Sequence, residues 1–153
     1  MPVTESAARA GFVPSVSVHA IVADAASAAS WYRDVFAAEE RSRITLPDGR
    51  LIDVQLWLGT SMLVLADEFP EHGALAPRDP SMVLYLHVAD IAAVWRRALA
   101  AGAEVVRDVQ DAVWGEREGQ ITDPFGHRWG LTQHLRDVPA GEKARAVAEA
   151  FGM

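Results

Sequence analysis

The chain contains no cysteine. That absence removes a disulfide framework, a thiolate zinc site, an iron–sulfur cluster and a cysteine nucleophile together, and it is compatible with a reducing compartment. Long apolar runs are missing as well. The longest stretch without Asp, Glu, Lys or Arg is Ala10 to Ala23, 14 residues interrupted by Pro14 and His19, whereas a membrane helix needs roughly 20 apolar residues. No membrane span is expected. The opening residues MPVTESAARAGFVP have no basic start leading into an apolar run, so no signal peptide is read there and the cytoplasm is the expected location. Positive charge is scarce: 14 Lys and Arg against 21 Asp and Glu leave −7, and the longest basic run is Arg96-Arg97. Nucleic acid is therefore not an expected partner, since binding it requires a patch that displaces counterions from phosphates. A small molecule or another protein chain is. The sequence also lacks a Gly-x-Gly-x-x-Gly turn, a phosphate loop and a Gly-x-Ser-x-Gly elbow, which leaves nucleotide transfer and elbow-type serine hydrolysis without support.

What is present is ordinary globular composition over 153 residues, half of them hydrophobic, enough for one domain that buries roughly 70% of its unfolded surface. Within it lies a repeat. Val22-Ala23-Asp24 returns 66 residues later as Val88-Ala89-Asp90, each copy following an alternating apolar run and preceding an alanine-rich stretch. Each Asp is expected to cap a helix, Ala25 to Phe36 in the first copy and Ile91 to Ala101 in the second, the latter stopped by Gly102. After the Pro47-Asp48-Gly49 turn, Leu51 to Leu58 and Met62 to Ala66 read as strands joined at Gly59-Thr60. A two-residue loop sets Leu58 against Ser61, Trp57 against Met62, Leu56 against Leu63 and Gln55 against Val64. One face then carries Ile52, Val54, Leu56, Leu58, Leu63 and Leu65, the expected core side. The other carries Asp53, Gln55, Trp57, Met62 and Val64.

The second copy repeats the plan, with strands at Met82 to Val88, Glu104 to Val106, near Gly119 to Thr122, and Arg128 to His134. Asp123-Pro124-Phe125-Gly126 has the residues of a type I turn before the last strand. The expected organisation is a flexible segment at 1–14, a first βαβββ module at 15–68, a linker at 69–80, a second module at 81–137, and a C-terminal helix or tail at 138–153. The fold class is α+β with helices on one side of the sheet.

The two strand–helix–strand–strand–strand units, Tyr32 near the end of one helix, and the run Thr122-Asp123-Pro124-Phe125-Gly126-His127-Arg128-Trp129-Gly130-Leu131 resemble the vicinal oxygen chelate superfamily of glyoxalases, bleomycin-resistance proteins and dioxygenases. The string from Trp114-Gly115-Glu116-Arg117 onward is most similar to its PhnB-like subgroup. The resemblance, over about Ser17 to Asp137, implies a cup-shaped mixed sheet with helices outside, and a homodimer. It places the divalent-metal positions of the family's enzymes at Ser17, Val64, Val83 and Gly130. Val and Gly offer no side-chain donor where a metal needs three or four at about 2 Å, so no metal and no cofactor are expected.

Strand alternation extends the cup-facing set. With Ser17 and Val83 inward, so are His19, Ile21, Tyr85 and His87, while Val16, Val18, Leu84, Leu86 and Val88 are expected beneath the helices. With Gly130 inward, so are Arg128 and Thr132. The expected ligand-binding set is His19, Gln55, Trp57, Met62, Tyr85, His87, Trp114 and Arg128, with Trp57 and Met62 forming a flat surface for a planar ligand and Trp114 a lid or an interface residue. His19, His87 and Tyr85 are the candidates for acid–base or oxyanion roles, and the plain alternative for each is a polar residue lining a hydrated cleft. Trp31 and Trp95 read as core, His127 as a turn residue, and Glu39-Glu40 and Glu116-Arg117-Glu118 as solvated faces. The leading reading is a protein that binds a planar or aromatic small molecule, such as an antibiotic held by sequestration. The second is a metal-independent lyase or isomerase acting on a small oxygenated substrate through His87 or His19.

Overall fold

The computed structural model describes residues 13–79 and 81–153. The segment read as flexible falls almost wholly outside the described residues. The chain divides after Asp79 into two compact units.

In the first unit, β1 (Val18–Val22), α1 (Ala25–Phe36), β2 (Glu39–Thr45), β3 (Leu51–Leu58) and β4 (Ser61–Asp67) follow in order. The sheet order is β1-β4-β3-β2, with β1 parallel to β4 and the other pairs antiparallel. Helix α1 starts where Asp24, in extended backbone, accepts hydrogen bonds from the Ser27 amide at 3.0 Å and the Ser27 hydroxyl at 2.7 Å. These bonds, the hydroxyl's first, hold the Asp24 carboxyl below its ordinary pKa. Its buried face carries Ala25, Ala28, Trp31, Tyr32, Val35 and Phe36, and the Trp31 ring stands edge-on to Tyr32 and Phe36 at 5.4 and 5.2 Å. Against that face pack Ala20, Val22, Val54, Leu56, Leu63 and Leu65, all buried. The β3–β4 register is the one that a two-residue loop dictates, Leu58 opposite Ser61 through Gln55 opposite Val64.

Two expectations fail here for identifiable reasons. Ile52 is not on the core face but 45% exposed. Ile44 pairs with Asp53 and Thr45 with Leu51, so β3 bulges at residue 52, the alternation slips by one, and Leu51 is buried in its place. Val16, expected beneath the helix, precedes β1 and is 81% exposed.

The second unit repeats the plan with β5 (Val83–His87), α2 (Ile91–Ala100), β6 (Glu104–Asp111), β7 (Glu116–Thr122) and β8 (Arg128–His134), in sheet order β5-β8-β7-β6, and ends in α3 (Ala140–Ala150). Asp90 caps α2 through the Ala93 amide at 3.1 Å. Strands β6 and β7 are longer than their sequence suggests, because register shifts on both sides of Arg107 break the alternation that marks a strand. Trp95, expected in the core, is half-buried over Gly119, where a Cβ would lie 2.8 Å from its ring. Leu84, Leu86 and Val88 are likewise only half-buried. Glu118, expected on a solvated face, is 5% exposed. The Asp-Pro-Phe-Gly turn closes through the Gly126 amide to the Asp123 carbonyl at 3.2 Å. The buried Asp123 carboxylate accepts from the amides of Phe125 and His127 and from the Trp129 indole, each at 2.9 Å. No helix among the described residues is long and apolar enough to cross a membrane.

Both units share one further tie. The Asp67 carboxylate, at the end of β4, accepts from the Ala25 amide at 2.7 Å and the Leu51 amide at 2.6 Å. In the second unit the Gln133 side-chain oxygen accepts from the Ile91 amide at 2.9 Å. The Asp67 tie is charged and double; the Gln133 tie is neutral and single. Asp67→Ala is therefore expected to cost roughly 2–3 kcal/mol and Gln133→Ala about 1 kcal/mol, and urea unfolding of the two variants checks the order.

Candidate functional site

With the helix on one face of each sheet, functional side chains are left to the other face, and strand pairing arranges them in rows. His19, Val64 and Gln55 are cross-strand neighbours in the first unit, and Tyr85, Gly130 and Gln120 occupy the equivalent row in the second. One row along β8, His87 is opposite Thr132 and Thr132 opposite Glu118.

The first unit holds a hollow of about 520 Å3 on this face. Its sheet wall is Ile21, Ile52, Val64 and Ala66, and Phe69 closes it from the loop after β4. That loop, within the span expected to be linker, folds back through a Phe69–Ala74 bridge around a short 3-10 helix at Pro70–His72. Polar groups stand at the hollow's border: His19, His72, Arg50 and Glu71. Arg50 is fully engaged, 2.8 Å from Asp48 and 2.7 Å from Glu71, with its guanidinium 4.2 Å from the Phe69 ring centroid. Asp67 also borders the hollow, but its two oxygens are taken by backbone amides. The hollow is thus an apolar slot with no free ionic anchor at Arg50 or Asp67, suited to an apolar or aromatic molecule.

Of the ligand-binding set, His19 borders this hollow. Gln55 is half-buried beside Val64. Trp57 and Met62 are opposite one another, but Trp57 is buried, with the Arg41 guanidinium 5.3 Å from its ring centroid. In the second unit Tyr85 lies on Gly130 and its hydroxyl accepts from Gln120 Nε2 at 2.9 Å. His87 is exposed and Arg128 half-buried. Trp114 sits half-buried in the turn between β6 and β7. There Gly115 has φ +91°, and a Cβ would strike the Arg136 carbonyl oxygen. A turn-rich loop has no periodicity to assign its side chains to a face, so the sequence gives no signal for Phe69, Arg50 and Glu71, whereas Ala66 follows from Val64 by alternation.

The positions that the family resemblance assigns to a metal do not fit one. Val64 is buried and Val83 has no donor, and at Gly130 an added Cβ would fall 2.6 Å from the Tyr85 ring. Among the described residues, no group of three or more His, Asp or Glu could hold a metal ion.

A second polar cluster closes β7 against β8. His134 Nδ1 is 2.8 Å from Glu116 Oε1 and its Nε2 is 3.0 Å from Asp137. The hydrogen bond to Glu116 raises the His134 pKa above its ordinary 6.5; desolvation opposes it, and the charges of Glu116 and Asp137 add to the rise. The protonated form is the stabilising one. Its contribution is complete below about pH 6.5 and is lost as pH rises through the raised folded value. His134→Gln is thus expected to be less stable than the parent in mild acid and to converge with it in mild alkali, as read by urea unfolding across that range.

Comparisons with known proteins agree with this fold. The family model described as Glyoxalase/Bleomycin resistance protein/Dioxygenase superfamily matches residues 15–131. Uncharacterized proteins of Mycobacterium bovis and Mycobacterium tuberculosis are each 38% identical over 141 residues, 88% of this chain and 93% and 83% of theirs. Among solved structures, TioX from Micromonospora sp. ML1 is 25% identical with TM-score 0.64, covering 80% of this chain and all of its own. The fosfomycin resistance protein FosX from Listeria monocytogenes, 14% identical with TM-score 0.63, covers 86% of this chain and 98% of its own. The PhnB protein from Bacillus cereus, 16% identical with TM-score 0.62, covers 78% and 99%. The last two share the fold.

Proposed function

The chain belongs to the glyoxalase/bleomycin resistance protein/dioxygenase superfamily, and from that premise we propose that it is a small-molecule-binding protein that holds a planar or aromatic ligand in the hollow of its first unit. The observation that carries this reading is the hollow itself. An apolar wall of Ile21, Ile52, Val64 and Ala66, closed by Phe69, favours apolar rings through burial, at roughly 25 cal/mol per Å2 removed from water. Arg50 and Asp67 are already satisfied, so a ligand is not required to neutralise them. The carboxylates around the hollow are spent on other groups, Asp67 on the Ala25 and Leu51 amides and Glu71 on Arg50, rather than on His19, which favours binding over acid–base turnover at that residue.

Sequestration of an antibiotic is the finer form of this reading, after the bleomycin-resistance branch, and a place in the PhnB-like subgroup goes with it. A cytoplasmic location goes with it too, and so does a homodimer, as the resemblance implies. Light scattering tests the homodimer: a dimeric mass is expected, and a monomeric mass at tens of micromolar removes it.

Ala66→Phe fills the hollow from its sheet wall. It is expected to abolish the rise in melting temperature that aromatic hits from a compound library give the parent, since only a ligand of the native state stabilises it. Product analysis should return each hit unchanged. Hits that stabilise Ala66→Phe as strongly as the parent sink the reading, and multiple turnovers of any hit replace it with the enzyme alternative.

A further inference from the structure

We propose that the strap at residues 69–74, in the loop after β4, is a gate over the first-unit hollow and that Arg50 is its latch. This rests on the reading of the hollow as a ligand site and adds what controls entry to it. The strap is built to move as one piece. Phe69 and Ala74 exchange both backbone hydrogen bonds, at 2.8 and 3.0 Å, the His72 amide donates to the Phe69 carbonyl at 2.9 Å, and the Gly73 amide donates to the Pro70 carbonyl at 3.0 Å. Each of these bonds starts and ends inside the strap, so none breaks when it lifts. At its base Asp67 is clamped by the Ala25 and Leu51 amides, which confines the movement to the residues beyond it. Phe69, Glu71, His72 and Ala74 all border the hollow. Lifting the strap therefore widens the opening.

What holds the strap down is Arg50. Its guanidinium is tied to its own turn by Asp48 at 2.8 Å, reaches Glu71 at 2.7 Å and lies 4.2 Å from the Phe69 ring centroid. Among the described residues, no other ion pair or hydrogen bond joins 69–74 to the sheet. With the latch made, Phe69 is only 7% exposed. Both of its contacts release readily, since the ion pair is partly exposed and so screened by salt, and a cation over a ring adds a modest attraction at a wet surface. The second unit shows the same place without the latch. At the repeat offset of 66 residues, Arg50 and Glu71 become Glu116 and Asp137, like charges bridged by His134, and Phe69 becomes Leu135, which is 41% exposed. Cation, acid and buried ring thus occur together in the unit that has the hollow, and the fold by itself does not require them.

Because the chain has no cysteine, one introduced thiol reports on the gate without any ligand. Ala66→Cys places it on the wall of the hollow, Ala26→Cys on the exposed side of α1, and Ala28→Cys in the buried core. Each full-length protein is treated with 4,4′-dithiodipyridine, an uncharged aromatic disulfide, and the rate of thiol release is followed by absorbance. The Ala66→Cys thiol is expected to react more slowly than the Ala26→Cys thiol. Adding Glu71→Gln should speed it about two- to fivefold, the scale of an exposed ion pair, and Arg50→Gln, which removes the ring contact as well, should speed it further. Molar sodium chloride should speed Ala66→Cys alone but not its combination with Glu71→Gln. Equal rates at Ala66→Cys and Ala26→Cys, or no change when Glu71 and Arg50 are replaced, would overturn the proposal. So would a matching acceleration at Ala28→Cys, which signals unfolding of the unit in place of a moving strap. Thiol rates need no bound compound, so a failed gate leaves the melting-temperature test of the hollow intact, and a library without aromatic hits removes the ligand reading while the rates still report whether the strap moves.

Discussion

A side chain at the end of each unit's last strand reaches the first amide of its helix, and the rest of each unit depends on that contact. Asp67 does so for Ala25 and Gln133 for Ile91, while Asp24 and Asp90 cap the next amides of the same helices. The opening turn of a helix has amides that no intrahelical carbonyl can accept from. Supplying an acceptor from the end of a central strand pins the helix to one face of the sheet. Asp67 goes further and takes the Leu51 amide as well, joining α1, β3 and β4 at one carboxylate.

Once the helix is pinned, each sheet has one face for packing and one for chemistry. The first becomes core in both units, Val54, Leu56, Leu63 and Leu65 against α1, and Ile121, Trp129 and Leu131 in the second unit. The second face has diverged between the copies. At the row His19–Val64–Gln55 the first unit has a branched apolar side chain in the centre, and the neighbouring wall is apolar. At Tyr85–Gly130–Gln120 the centre is a glycine and a tyrosine ring takes up the space. One scaffold thus presents an apolar slot in one copy and an aromatic platform beside an arginine in the other. Neither arrangement keeps the donors of a metal site at the family's positions.

The Asp-Pro-Phe-Gly turn illustrates how a motif can identify a fold while its residues do structural work. Asp123 is buried and spends its carboxylate on the Phe125 and His127 amides and the Trp129 indole. It orients β8, and so fixes on which face Arg128 and Gly130 stand, without itself facing a ligand.

Much of this was legible in the residues alone, because it rests on local rules. The repeat, the two Asp caps, the Gly59-Thr60 hairpin and its register, and the side of the sheet on which His19, Tyr85 and Arg128 stand all follow from spacing, capping and alternation, which involve only near neighbours in the chain. Tertiary structure decided what those rules do not reach. The bulge at Ile52 and the shifts around Arg107 are set by pairing with another strand, and they move side chains between faces without any mark in the local pattern. Phe69, Arg50 and Glu71 meet at the hollow only because the loop after β4 folds back on its own bridge. Whether a charged residue is free or spent is likewise a property of distant partners: Glu118 is buried beside Arg107, Asp67 is consumed by two amides, and the Arg128 Nε has no partner among the described residues, because ion pairs and hydrogen bonds form between groups that only the folded chain brings together.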